Sequence, residues 1–204
     1  MMRSFCFFPV RAACILVLSL VVLTGAATAE VMQVPGAKTV FVAGVVFGET
    51  MQVQGVRLSL AGAGLHRYRI VFKGYAAALY LGMGNAPEKV FEEIPKHLEI
   101  EYFHAIPAQD FIDATREGLE RNVSRAGLER MKPQMERLFR TYRYVKPGDR
   151  YAFTYMPGSG STLMLNGERL AIFEGLDFAN AFLSIWVGRN PIDEGLKRAL
   201  LGKP

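Results

Sequence analysis

Hydrophobic and polar positions alternate with period two along several stretches of this chain, and each such stretch predicts a strand in a sheet. Residues 51–60 alternate around Gly55 and predict a hairpin or one bulged strand. From Gly62-Ala63-Gly64 the chain reads as a glycine turn and then a strand or two, alternating charged and apolar residues. Beyond Lys73 the charge stops. From Tyr75 to Leu81 every residue is small, apolar or aromatic, which predicts burial on both faces. Ala76, Ala77 and Ala78 cannot fill a core, so the space beside them goes either to packed helices or to an apolar ligand. Residues 96–104 predict another strand, with Leu98, Ile100 and Tyr102 on one face and Glu99, Glu101 and Phe103 on the other. Carboxylates in that setting read as a solvated face.

Elsewhere the period changes to 3.6. Over residues 107–124, Phe111, Ala114, Thr115, Gly118, Leu119, Asn122 and Val123 form one stripe, opposite Asp113, Arg116, Glu117, Glu120 and Arg121. A second helix over 126–142 carries Pro133, where a break is expected. Residues 87–94 predict a short helix stopped by Pro95, and residues 30–43 an entry arm with little pattern. Toward the end, Pro147-Gly148-Asp149 turns into a strand over 150–156, and residues 157–161 turn into another over 162–165. Asn166-Gly167 is a hairpin turn before residues 169–173. Gly175 opens an apolar helix over 176–187, and Pro191 starts a final one ending at Gly202. Strands and helices come in separate groups, which predicts an α+β fold: an antiparallel sheet with its helices together on one face.

The amino terminus alters the totals. Arg3 and Arg11 precede an apolar run over 12–23, and Ala27-Thr28-Ala29 follows with small residues, the pattern of a signal peptide cut after Ala29. The run is about twelve residues against the roughly twenty that span a bilayer, so no membrane span is expected after cleavage. Residues 1–29 are thus read as a leader and 30–204 as one domain, periplasmic or secreted. Cys6 and Cys14 both lie in the leader, which excludes a disulfide or a cysteine-bound metal from the mature chain. The formal charge of +5 falls to +3 because Arg3 and Arg11 leave and no acid does. That excess is too mild to suggest nucleic acid.

The motifs of common chemistry are missing. His97 and His104 lie seven positions apart, on opposite faces and roughly 23 Å distant along a straight strand, so no metal cluster is expected. Neither a G-x-S-x-G elbow nor a phosphate-binding loop occurs, and Gly62-Ala63-Gly64 leads into a strand rather than a helix. Gly158-Ser159-Gly160-Ser161 reads as a turn. No catalytic residue, metal or cofactor is predicted. What remains is Arg67 near Tyr68, Tyr75 and Tyr80: an arginine holds a carboxylate with two parallel hydrogen bonds, and a phenol can add a third. The alternative is that Arg67, Arg69 and Lys73 form the wet face of an edge strand.

Residues 185–202, Ile-Trp-Val-Gly-Arg-Asn-Pro-Ile-Asp-Glu-Gly-Leu-Lys-Arg-Ala-Leu-Leu-Gly, resemble the chalcone isomerase-like family when taken together with 62–81 and Lys146-Pro147-Gly148-Asp149. The likeness is to its exported bacterial branch and runs over about residues 40 to 202. It implies an open-faced β-sandwich, a large antiparallel sheet with a helical layer on one face. Plant members either close a chalcone to a flavanone or bind fatty acids without catalysis, in the cleft between sheet and helices. The family's arginine falls on Arg67, with His66 as an apparent insertion, and its strand threonine on Tyr75, as a tyrosine does in the fatty-acid binders. Its helix tyrosine falls on Phe111, its asparagine on Gly118 or, one turn on, Asn122, and its last threonine near Ile185 beside Ser184.

Cyclisation needs positioned donors for an enolate-like charge, and most of these hydroxyls are replaced. The resemblance therefore implies a binder of a small amphipathic, fatty-acid-like ligand. Arg67, Tyr75, Tyr80, Phe111, Asn122 and Ser184 are the candidate ligand contacts, with Ala76, Ala78, Leu119 and Phe182 lining the cleft. An isomerase or intramolecular lyase on another substrate is the alternative. One condition attaches to the site: eight residues of straight strand would hold Arg67 and Tyr75 roughly 26 Å apart. They meet only if the chain turns between them, for which Gly74 is the permissive residue.

Overall fold

A computed structural model describes residues 31–33, 36, 38–68 and 72–203. The predicted leader lies outside the described residues. Ten strands and four α-helices follow along the described chain: β1 (Val31–Gln33), β2 (Thr39–Val42), β3 (Val45–Gly48), β4 (Thr50–Val53), β5 (Val56–Tyr68), β6 (Phe72–Gly82), β7 (Lys96–Tyr102), α1 (Ala108–Asn122), α2 (Arg125–Thr141), β8 (Arg150–Met156), β9 (Gly160–Leu165), β10 (Glu168–Phe173), α3 (Leu176–Val187) and α4 (Glu194–Leu200). Eight strands form one antiparallel sheet in the order β1-β4-β5-β6-β7-β8-β9-β10, and β2 pairs with β3 as a separate hairpin.

Local chemistry explains most of the boundaries. Gln54-Gly55 and Asn166-Gly167 both sit at positive φ, the geometry of two-residue hairpin turns. Gly175 caps α3 where expected, and the Asp193 side chain accepts a hydrogen bond from the Leu196 amide to begin α4. That cap, rather than Pro191, sets the start of the last helix. Three other expectations are corrected. α2 runs unbroken through Pro133, because its apolar face, with Leu138 fully buried, docks against the core and outweighs one lost hydrogen bond. Residues 87–94 hold only a 3-10 turn, Pro87–Lys89. Gly62 and Gly64 make no turn; they lie within β5, and a Cβ on Gly64 would stand 2.7 Å from that of Ala199, so glycine admits α4 close against the strand.

Alternation then divides the sheet. Tyr75, Ala77, Leu79 and Leu81 of β6 join Leu98, Ile100 and Tyr102 of β7 in the large core under the helices. Ala76, Ala78 and Tyr80 point the other way, into a smaller core closed by Val45 and Phe47 of the β2–β3 hairpin. Residues 75–81 are all buried, as predicted. The second face is less open than its carboxylates suggest. Glu99 is only 6 % exposed, and Arg150, which lies over the hairpin's Phe47, grips it at 3.1 Å while also binding Glu101.

Candidate functional site

The helices do not fill the space above the sheet. Between β6–β9 and the helices α1 and α3 lies a cavity of about 640 Å³. Its deep wall is hydrocarbon and aromatic: Leu98, Ile100, Phe153, Leu163, Phe182 and Ile185. Phe182 packs on Phe153 with ring centroids 4.3 Å apart and on Trp186 at 5.2 Å, which fixes that wall by ring contacts. Toward the carboxyl end of β7 the lining becomes a ring cluster in which Phe111 meets Tyr102, Tyr142 and Tyr151 at 5.2, 5.4 and 5.3 Å.

Four tyrosines belong to this lining. Trp186 Nε1 donates to the Tyr75 oxygen at 3.0 Å, Tyr142 shares a 2.8 Å hydrogen bond with Thr115, and Tyr151 accepts from the Arg143 amide at 2.9 Å. The Tyr102 hydroxyl has no hydrogen-bond partner among the described residues, although the residue is 6 % exposed. Burial is the largest effect on all four phenols and pushes each upward, so at neutral pH they are uncharged donors. Charge sits toward the edge. The His66 ring stacks on Tyr75 at 4.7 Å and its Nδ1 lies 3.2 Å from Asp193 Oδ2, while Lys73, His104 and Asp110 are exposed lining residues.

The sequence candidates separate accordingly. Tyr75 and Phe111 line the cavity together. Arg67 does not: β5 and β6 pair as a hairpin, so the chain reverses between Tyr68 and Phe72 rather than at Gly74, and His66 becomes the partner of Tyr75. The pairing shifts register between His66 and Arg67, and Arg67 is exposed and outside the cavity lining. Tyr80 differs in parity from Tyr75 and lies on the opposite face, edge-on to His97 at 5.9 Å. Ala76 and Ala78 share that opposite face. Leu119 is buried in the core without lining the cavity. Asn122 exchanges hydrogen bonds with Asn190 at 2.8 and 2.9 Å and ties the end of α1 to the following loop. Ser184 donates to the Ala181 carbonyl at 2.6 Å. Both instead border a second, more polar groove near the α1–α2 turn and the start of α3. Sequence reasoning missed Tyr102, Tyr142, Tyr151 and Trp186, although Tyr102 was already placed on the face of Leu98 and Ile100.

Among the described residues, no cluster of three or more histidine, cysteine or acidic side chains could hold a metal ion. No helix there is long and apolar enough to cross a membrane.

An antiparallel sheet, a helical layer on one face and a part-open apolar cavity between them define an open-faced α+β scaffold. The sequence pattern of the chalcone isomerase-like family matches residues 39–202, and the chain belongs to that family. Among solved structures, a fatty-acid binding protein of Arabidopsis thaliana shares the fold with a TM-score of 0.62 at 12% identity. The match covers 80% of this chain and 96% of that one. Comparison with curated protein sequences gives no match.

Proposed function

We propose that this protein binds a fatty acid or similar amphipathic molecule in the cavity, without turnover, after export to the periplasm by the leader at residues 1–29. The observation that carries the reading is the cavity itself. Its volume of about 640 Å³ falls within the usual range for small-molecule sites, and its walls are mainly apolar with few polar groups. An acyl chain placed there would leave water at a gain of about 25 cal/mol per Å² of apolar surface. That the structural neighbour binds fatty acid supports the same assignment.

Three positions argue against cyclisation. Phe111 has no hydroxyl where the resemblance places a catalytic tyrosine. A Cβ on Gly118 would already stand 2.9 Å from two Ile185 carbons, so the place of an asparagine is taken. Ile185 in turn offers no donor. Native mass spectrometry with lipid extraction of the purified protein tests the binding reading. A bound acyl compound is the expected result; an empty protein that takes up no acyl compound on titration would overturn it.

A second reading rests on the His66–Asp193 pair beside the Tyr75 phenol. An imidazole oriented by a carboxylate is the arrangement of a general base, suited to moving a proton on an enolisable carbonyl. It predicts isomerisation of such a compound, abolished in His66→Gln.

A further inference from the structure

We infer that the polar end of the bound molecule is a neutral hydrogen-bond acceptor, the carbonyl of an ester, amide or ketone, held between the phenols of Tyr75 and Tyr102. This rests on the binding reading above and narrows the chemical class of its ligand.

Tyr75 and Tyr102 face each other across β6 and β7 with ring centroids 5.8 Å apart, and both line the cavity. Each phenol has a proton to give. An indole nitrogen only donates, so the hydrogen bond from Trp186 occupies the Tyr75 oxygen and leaves the Tyr75 proton without an acceptor among the described residues. Tyr102 is 6 % exposed and its hydroxyl has no partner there at all. A phenol proton without an acceptor beside a cavity is free to bond a ligand there. A carbonyl oxygen has two lone pairs and can take both.

Charge decides between a carbonyl and a carboxylate. Among the described residues no arginine lines the cavity, and the lysine that does, Lys73, is exposed, as is His104. His66 is engaged by Asp193, whose negative charge pushes the Tyr75 phenol further up. An anionic head between the phenols would lose its hydration beside a carboxylate, and the described lining cation, Lys73, is exposed rather than buried with it; a neutral carbonyl escapes that cost.

The test compares decanoic acid, methyl decanoate and decane at neutral pH, by displacement of a neutral polarity-sensitive dye from the wild-type protein, Tyr102→Phe and Lys73→Ala. The ester is expected to bind more tightly than the acid. Tyr102→Phe should weaken the ester about five- to tenfold and change decane less than about twofold, while Lys73→Ala leaves the ester unaffected. A preference for the acid that disappears in Lys73→Ala would put the head at the rim and overturn the inference, leaving the binding reading intact. Equal weakening of ester and decane in Tyr102→Phe would reduce Tyr102 to a packing residue and overturn it as well. Failure of all three probes to bind would overturn the binding reading itself and this inference with it.

Discussion

The two faces of the sheet bury the same strands in opposite ways. On the helical face, rings and aliphatic side chains line a cavity whose buried polar groups are chiefly neutral phenols, while the buried Lys96 side chain lies outside the lining, on the Val90 and Glu92 carbonyls and Asn180. On the hairpin face a smaller core closes over an ion-pair network, with the neutral Tyr80 hydroxyl beside it. Arg150 reaches both Glu99 and Glu101, its guanidinium lies over the Phe47 ring at 5.2 Å, and His97 sits between Thr154 at 2.7 Å and Glu99 at 3.3 Å. One strand serves both purposes because alternation sends Tyr75 to the cavity and Tyr80 to the packed side. The difference teaches where to look for stability and where to test for binding: Glu99, gripped by Arg150 and His97, anchors the hairpin face, and the cavity with its neutral phenols lies on the other.

Arg150→Ala breaks this division most strongly. It leaves the Glu99 carboxylate buried with His97 as its only close partner, which should cost about 3 kcal/mol, the low end for a broken buried pair because the Arg150 side chain is 26% exposed. Urea denaturation measures the loss, and ligand affinity of the folded protein should stay the same. A parallel loss of affinity would show that the faces are coupled.

Gly118→Asn comes next. It forces a side chain against Ile185 where α1 and α3 touch, at a cost of about 1–3 kcal/mol, and it should not create chalcone cyclisation. Flavanone formation by that variant would contradict the non-catalytic reading.

The faces should also fail at opposite ends of the pH scale. Burial would raise the Glu99 carboxyl, but His97 and Arg150 outweigh it and hold it below the ordinary range. Its contribution is therefore complete above the unfolded value of about 4.3 and is lost as the pH falls through the folded one. The cavity phenols are raised, chiefly by burial, so their contribution is complete below about pH 10 and is lost as the pH rises beyond it. Denaturation series across pH should show Glu99→Gln flattening the acid limb and Tyr142→Phe the alkaline one. Exchange of those two effects would refute the assignment.

Smallest of all are the changes at Tyr80 and Arg67. The Tyr80 hydroxyl is fully buried without a hydrogen bond, so Tyr80→Phe should be neutral or stabilising by up to about 1 kcal/mol in thermal denaturation. Arg67→Ala should alter ligand affinity less than about twofold.

The fold was readable because its signals are local. Period-two runs marked β6 to β10, Asn166-Gly167 and Gly175 punctuated them, and the stripe of Phe111, Thr115, Gly118 and Leu119 placed α1 against the sheet. The site was readable only at Tyr75, on a strand apolar on both faces, and at Phe111, on the apolar stripe of α1. Parity already separated Tyr80 from Tyr75, but a cluster of tyrosines near one arginine suggested a common site. Arg67 was misplaced for a different reason. The pairing of β5 with β6 shifts register between Leu60 and Gly62 and again between His66 and Arg67, and such bulges leave no trace in hydrophobic periodicity. The solvated reading failed at Glu99 because its partner, Arg150, is 51 positions away in sequence and lies over Phe47 of the equally distant β2–β3 hairpin.

Trp186 gives the most direct test, since it is the only tryptophan in the chain, lines the cavity and donates to Tyr75. Its fluorescence on titration with methyl decanoate should change to saturation, with the change weakened in Tyr102→Phe and unaltered in Tyr80→Phe. A flat titration, with emission independent of added ester, would contradict a ligand-binding cavity.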